Sequence, residues 1–167
     1  MHLSATLHYD ADVARVGVML ADPEFVAAKL RASGALSQDA AVVGDPGQAF
    51  TVTTRRSMPT DQIPAQFRSF VGSTVEVRHV EAWEAPAGGE RRGTVVIEIL
   101  GAPVRYTGRL HLSGADGGGA TLVVDGEVKA SVPLFAATVE EAAAGAVRAA
   151  IAAEQDAGTA WLAAHPA

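Results

Sequence analysis

The side chains that could do chemistry in this sequence are a few charged and aromatic residues on faces that are otherwise apolar. The first is Glu154, which lies inside the alanine-rich stretch "VRAAIAAEQDAGTAWL". At about 100° per residue, a helix places Glu154 about 60° from Val139, between Ala150 at about 20° and Ile151 at about 120°. A carboxylate on this apolar face is costly unless it is paired, neutralised or hydrated. We predict that Glu154 faces the interior.

Two roles for an inward Glu154 remain open at this point. In the first, the carboxylate is structural and forms a buried ion pair with an arginine from the sheet, for which Arg56 is a candidate, or a hydrogen bond that fixes the helix register. In the second, it lines a hydrated cavity and anchors a polar group of a ligand. A bent or frayed helix that exposes Glu154 would remove both roles.

Strand alternation predicts which other polar side chains share this interior. The polar residues on inward faces are Thr54, Arg56, His79, Glu81 and Tyr106. His79 and Glu81 lie toward a strand end, so they either emerge at the rim or line the interior. Tyr106 is either a core residue with a satisfied hydroxyl or a hydrogen-bonding wall, and Trp83 is either a packing residue or a ligand platform.

Catalytic signatures are missing from the sequence. It has no G-x-S-x-G elbow and no H-E-x-x-H pair, and its five histidines do not repeat on one predicted face. We therefore assign no catalytic residue, no metal site and no cofactor. Glu154, His79 or Tyr106 could still supply an acid or a base if a reactive ligand lay beside them.

The elements that must position these side chains follow from turn and capping signals. The stretch "HLSATLHY" alternates like a strand, Asp10 is the expected N-cap of a short helix, and Asp22 with Pro23 begins a second helix. Six further strand-like runs are separated by glycine- and proline-rich turns, and "MPTDQIPAQFRSFVG" is expected to be a loop with one helical turn. A helix of about 30 residues is then predicted to begin near Leu134.

Composition limits the class of protein. A net charge of −6 disfavours nucleic acid as a partner, and the most apolar window carries too much charge for stable membrane insertion. The absence of cysteine and of a signal-peptide pattern predicts a cytoplasmic protein. Residues 1–167 are expected to form a single domain. Arginine and alanine are plentiful while Lys29 and Lys129 are the only lysines, a bias typical of GC-rich bacterial genomes.

The pattern as a whole resembles the START-like superfamily, also called SRPBCC, and within it an actinobacterial family of unknown function. The similar segments are "LSATLHYDADVARVGVMLADPEFVAAKL", "VEVRHVEAWE", "GEVKASVPLFAATVE" and "AAEQDAGTAWL". A glycine-rich turn that family members carry after the proline is replaced here by "PLFAATVE". The resemblance implies an α+β helix-grip fold, in which a curved antiparallel sheet of about seven strands surrounds a long C-terminal helix, with two short helices after the first strand. It also implies a cavity for an apolar ligand.

The sequence therefore favours a protein that binds or carries a small, mostly apolar molecule, such as a lipid or a polyketide-like compound. Alanines dominate the inner side of the long helix, which favours either close packing or a pocket. The residues expected to contact a ligand are Glu154, Tyr106, His79, Trp83, Val147, Ala150 and Ile151. A polyketide cyclase or aromatase using the same pocket is the alternative, and a structural or interaction module without a ligand is the third possibility. The oligomeric state is not predicted.

Overall fold

The computed structural model describes residues 1–167, except the side chain of Phe70. The chain forms seven strands and four helices in one linear order. The strands are β1 (His2–Tyr9), β2 (Ser37–Gly44), β3 (Phe50–Pro59), β4 (Thr74–Trp83), β5 (Arg91–Ile99), β6 (Val104–Gly114) and β7 (Ala120–Ala130). The helices are α1 (Val13–Leu20), α2 (Pro23–Ala32), α3 (Ala65–Val71) and α4 (Ala136–Ala164).

All seven strands belong to one antiparallel sheet in the order β1-β7-β6-β5-β4-β3-β2. Each strand from β2 to β6 pairs with the next one along the chain, and β1 pairs with the remaining edge of β7. The hairpin between β6 and β7 is formed by the "GADGGGA" stretch, whose glycines at 117–119 all have positive φ. The predicted helix-grip architecture is confirmed.

The two short helices after β1 begin at aspartate caps. Asp22 Oδ1 accepts a hydrogen bond from the Glu24 amide at 2.7 Å, as predicted for α2. The predicted cap of α1 was wrong by two residues, because the cap is Asp12, whose carboxylate accepts from the Arg15 amide at 2.8 Å. Asp10 instead lies in the turn that leads out of β1.

The long helix α4 spans 29 residues and begins two residues after the predicted start. Leu134 cannot be its first residue, because its φ of 67° is left-handed. The helix comes closest to α2, β1 and β7 and lies across the sheet. The segment expected to be a loop with one helical turn contains the seven-residue helix α3, where Phe67 packs edge-on against Phe135 at the start of α4.

The apolar core lies between the concave face of the sheet and the helices. Its largest fully buried side chains come from β1, α1, α2 and the strands around β7, and include Phe25, Leu3, Leu7, Met19 and Leu122. Among the described residues, no helix is both long enough and apolar enough to cross a membrane. α4 lies closer to β1 and β7 than to β3 and β4. Side chains of β3 and β4 must therefore be longer than those of β1 and β7 to reach it.

Candidate functional site

Three ionisable side chains meet between the sheet and α4, and we call them the interior charge cluster: Lys29, Glu81 and Glu154. Lys29 Nζ lies 2.7 Å from Glu81 Oε1 and 3.3 Å from Glu154 Oε2. The side chains of Lys29 and Glu81 are each 6% exposed, and that of Glu154 is 14% exposed. The inward orientation of Glu154 is therefore present, as the helix phase predicted.

The partner of Glu154 differs from the expected one. The sequence suggested an arginine of the sheet, whereas the ion pair is made with Lys29 of α2. Lys29 lies on the buried face of α2 together with Phe25, Val26 and Leu30. The sequence signal for this partner is the position of Lys29 on the apolar face of α2. The helical-wheel test that places Glu154 inward also places Lys29 inward.

Glu81 is the most heavily coordinated member of the cluster. Its Oε1 accepts from Lys29 and lies 3.2 Å from His79 Nε2, while its Oε2 accepts from the Trp83 indole at 3.0 Å. His79 and Glu81 do not emerge at the rim, since Glu81 is buried and only 13% of the His79 side chain is exposed. Trp83 is buried and also stacks on Phe50, so it packs and positions Glu81 at once.

The pKa values of the two carboxylates, Glu81 and Glu154, shift in opposite directions. Burial alone would raise the pKa of Glu81, but Lys29 and His79 outweigh burial and hold that pKa well below its usual range. Burial dominates at Glu154, where the nearby Glu81 charge adds to it, so the pKa of Glu154 is raised despite its contact with Lys29. One lysine thus stabilises the ionised form of Glu81 more than that of Glu154.

Arg56 on β3 is buried on the same concave face without a partner for its Nε atom. No described carboxylate lies within ion-pair distance of the Arg56 side chain. Glu154 and Glu81 nevertheless lie near enough to affect its pKa electrostatically. Burial lowers the pKa of Arg56, and Glu154 and Glu81 only partly oppose that effect. The guanidinium is therefore an incompletely compensated buried cation.

Several buried hydroxyl groups in this region also lack a described partner. They are the side-chain oxygens of Tyr9, Thr54 and Tyr106. Tyr106 lies flat on the sheet, where a Cβ at Gly108 or Gly126 would come within 2.8 Å of its hydroxyl. Burial, with a smaller contribution from Asp125, raises the pKa of Tyr106 to about 12, so its hydroxyl remains protonated, and able to donate, well above neutral pH.

The wall opposite the sheet is supplied by α4. Val147 is buried, and Ala150 and Ile151 are half-buried on the same side of the helix as Glu154. One turn further on, Gly158 leaves room for the Tyr9 ring, because a Cβ there would lie 2.5 Å from the ring. The residues expected to contact a ligand are thus brought to one region of the fold.

Two open clefts lie elsewhere on the surface. One, of about 670 Å³, is lined by the last residue of β3, by Arg68 and Ser69 of α3, and by the loop residues on either side of that helix, including Thr60. The other, of about 460 Å³, lies around residues 98–105 with Lys129 and Ser131. Neither is lined by a residue of α4, so neither is the pocket predicted between helix and sheet.

The fold places this protein in a structural class, which comparison with solved structures identifies. The structure is similar to a START superfamily protein from Mycobacterium smegmatis, with a TM-score of 0.54, 14% identity and coverage of 93% of this chain and 94% of that chain. It is similar to norcoclaurine synthase from Thalictrum flavum (TM-score 0.55, 15% identity, coverage 100% and 88%). It is also similar to a STAR-related lipid transfer protein from Xanthomonas axonopodis (TM-score 0.53, 17% identity, coverage 92% and 85%). These likenesses establish the START-like helix-grip fold.

Residues 4–162 match the sequence profile of a family described as protein of unknown function DUF2505. The chain belongs to that family. A comparison with curated protein sequences gives no match.

Proposed function

We propose that this protein binds a small, mostly apolar molecule between the concave face of the sheet and α4. The observation that carries the proposal is the group of buried polar side chains without described partners on that face, above all Arg56. Unpaired buried donors are costly, and proteins retain them where a ligand or ordered water completes their hydrogen bonds. Apolar walls with a few convergent polar groups are typical of small-molecule sites.

In this proposal the ligand lies against Val147, Ala150 and Ile151 of α4. Tyr106 and His79 lie across from them on the sheet, and Glu154 is the polar group of the helix wall. Trp83 contributes mainly by holding Glu81 in place.

Proteins of the same fold support a ligand-binding role. Norcoclaurine synthase from Thalictrum flavum has been crystallised in complex with dopamine and hydroxybenzaldehyde. Another protein of this fold is a STAR-related lipid transfer protein. At 15–17% identity these proteins share the fold with this chain. The ligand class of this chain must therefore be inferred from its own interior residues.

A displacement assay tests the proposal. An environment-sensitive anilinonaphthalene dye is expected to bind the wild type at micromolar concentration and to be displaced by fatty acids or aromatic polyketides. Ala150→Phe should fill the space beside Glu154 and weaken dye binding about tenfold or more, since the aromatic ring would occupy volume that the ligand needs.

The matched control is Ala149→Phe, which adds the same ring one residue away on the exposed side of α4. This variant should bind the dye as the wild type does. If the wild type binds no dye at micromolar concentration, or if both variants lose binding equally, the proposed site is wrong and a ligand-free interaction module becomes the better explanation.

A second candidate function is a cyclase or aromatase reaction in the same pocket. The observation that favours it is the raised pKa of Glu154, because a carboxyl group that titrates closer to neutral pH can both accept and return a proton. In such a reaction Glu154 would take a proton from a carbon beside a ligand carbonyl. Mass spectrometry of a bound polyketide would show loss of water with the wild type and not with Glu154→Gln, whereas a carrier leaves the ligand mass unchanged.

A further inference from the structure

We propose that the ligand carries an anionic head group, such as a carboxylate, and that Arg56 binds this head group while the apolar part lies along the neighbouring strands. This inference rests on the proposed function, because it names the chemical class of ligand for the same site. It follows from the charges and apolar residues that surround the guanidinium.

Arg56 is 8% exposed and projects from the concave face of β3 between Thr54 and Met58. Its cross-strand neighbour on β4 is Val77, which faces Ile99 on β5. A buried guanidinium beside aliphatic side chains has lost much of its hydration, and it needs a counter-charge to offset that loss.

The protein does not supply this counter-charge at close range. Glu81 is already engaged by Lys29, His79 and Trp83. Glu154 contacts Lys29, and its raised pKa makes it a weaker source of negative charge. Within the described part of the chain, no carboxylate lies within 4 Å of Arg56. An anion from outside the protein would complete the site.

The chemistry of the two unpaired donors, Arg56 Nε and the Thr54 hydroxyl, suits an anion better than a neutral head group. Guanidinium groups bind carboxylates through two parallel N–H bonds, and charge-assisted bonds of this kind are stronger than neutral ones. Thr54 lies two residues from Arg56 on the same face, and its hydroxyl is also buried without a described partner. Both side chains therefore offer donors to one acceptor-rich group.

The apolar part of the ligand has a surface to lie on. Val77 is buried, yet it does not belong to the contiguous apolar core. Beside it on the concave face lie Ile99 and, on the next strand, Val104 and Tyr106. This row borders Arg56, and Val139 and Ala143 in the first half of α4 are only half-buried. The site therefore combines one cation with an aliphatic wall.

A comparison of three amphiphiles with the same ten-carbon chain tests the inference. Decanoate, decanol and decyltrimethylammonium are titrated against the wild type at pH 7.5 in the dye-displacement assay. Decanoate is expected to bind about tenfold or more tightly than decanol, because a charge-assisted pair contributes at least that factor. Decyltrimethylammonium should bind more weakly than both.

Variants at neighbouring arginines show whether Arg56 causes the preference. Arg56→Gln should abolish the preference for decanoate over decanol, and Arg56→Lys should retain part of it. The matched control is Arg55→Gln, because Arg55 is 59% exposed on the opposite face of β3, where it pairs with Glu76 at 3.7 Å. That variant should keep the preference. The ratio of two affinities within one variant is insensitive to a general loss of folded protein.

The outcomes separate this inference from the proposed function. If decanol binds as tightly as decanoate, or if Arg56→Gln keeps the preference, the anionic head group is wrong although the apolar site stands. If none of the amphiphiles and no dye binds, the proposed function fails as well. A melting temperature that falls sharply in Arg56→Gln would show that Arg56 has a structural partner, which also contradicts the inference.

Discussion

Two glutamates share one lysine inside this protein, and they do not share it equally. Glu81 accepts hydrogen bonds from Lys29 and Trp83 and has His79 Nε2 at 3.2 Å, whereas Glu154 receives the longer bond from Lys29 alone among the described side chains. The ionised form is therefore favoured at Glu81 and disfavoured at Glu154, as the opposite directions of their pKa shifts show. This asymmetry predicts that replacing each glutamate by glutamine changes the free energy of unfolding by different amounts.

Glu81→Gln is expected to destabilise the protein by about 3 kcal/mol or more, because it removes the main counter-charge of buried Lys29. Glu154→Gln should cost much less, since the fold gains little from ionising this group. Urea denaturation at pH 7 measures both free energies of unfolding, and each variant is the control for the other. An equal loss in the two variants, or a larger loss in Glu154→Gln, would contradict the assignment of the lysine chiefly to Glu81.

The raised pKa of Glu154 predicts a distinctive dependence of stability on pH. Above its folded pKa the carboxylate is buried in its ionised form and costs stability, and this cost is relieved as pH falls toward the unfolded value of about 4.3. Glu154→Gln lacks this titration. The free energy of unfolding of Glu154→Gln minus that of the wild type should therefore increase as pH rises from 5 to 8.

Glu81 contributes with the opposite sign, because its pKa is lowered. Its stabilisation is present above about pH 4.3 and is lost as pH falls below that value. Measurements between pH 5 and 8 therefore isolate Glu154. A difference between Glu154→Gln and wild type that stays constant or shrinks with rising pH would show that the carboxylate is not disfavoured by burial.

At the scale of elements, two glycines of α4 have different surroundings. Gly158 faces the Tyr9 ring at a distance that excludes a methyl group, while nothing lies within 4 Å of a Cβ at Gly145. The same substitution should therefore have opposite effects at two positions of one helix.

Gly145→Ala is expected to stabilise the protein by up to about 1 kcal/mol through helix propensity alone. Gly158→Ala should destabilise it, because a steric cost of about 1–3 kcal/mol exceeds that gain. Thermal denaturation of the two variants measures both effects. Stabilisation by Gly158→Ala would mean that α4 sits further from β1 than the structure shows.

The order of elements was predictable because turn and cap signals are local. Proline and glycine separated the strands, and the apolar periodicity of α4 placed Glu154 correctly. The cap of α1 was misplaced because Asp10 and Asp12 offer the same chemistry two residues apart. The ion-pair partner was missed because it depends on how α2 packs on α4, which is a tertiary contact between residues 125 positions apart.

At the scale of the molecule, the interior polar groups come from distant parts of the chain. Lys29 lies on α2, Arg56 and Glu81 on adjacent strands, and Glu154 on α4. Strand alternation could place Arg56 on the inward face, but it could not give its depth or show that it lacks a partner. Only the assembled sheet and helix bring an incompletely compensated cation beside an aliphatic wall, and the proposed ligand site depends on that arrangement.

The most direct test of this site is a two-dimensional amide NMR titration of uniformly labelled protein with decanoate. We predict that chemical-shift changes concentrate in residues 52–56, 77–83, 97–106 and 139–154, with the indole resonance of Trp83 among them. The open cleft at residues 59–73 should respond little by comparison. Changes confined to that cleft, or no changes at millimolar decanoate, would contradict a ligand site between α4 and the sheet.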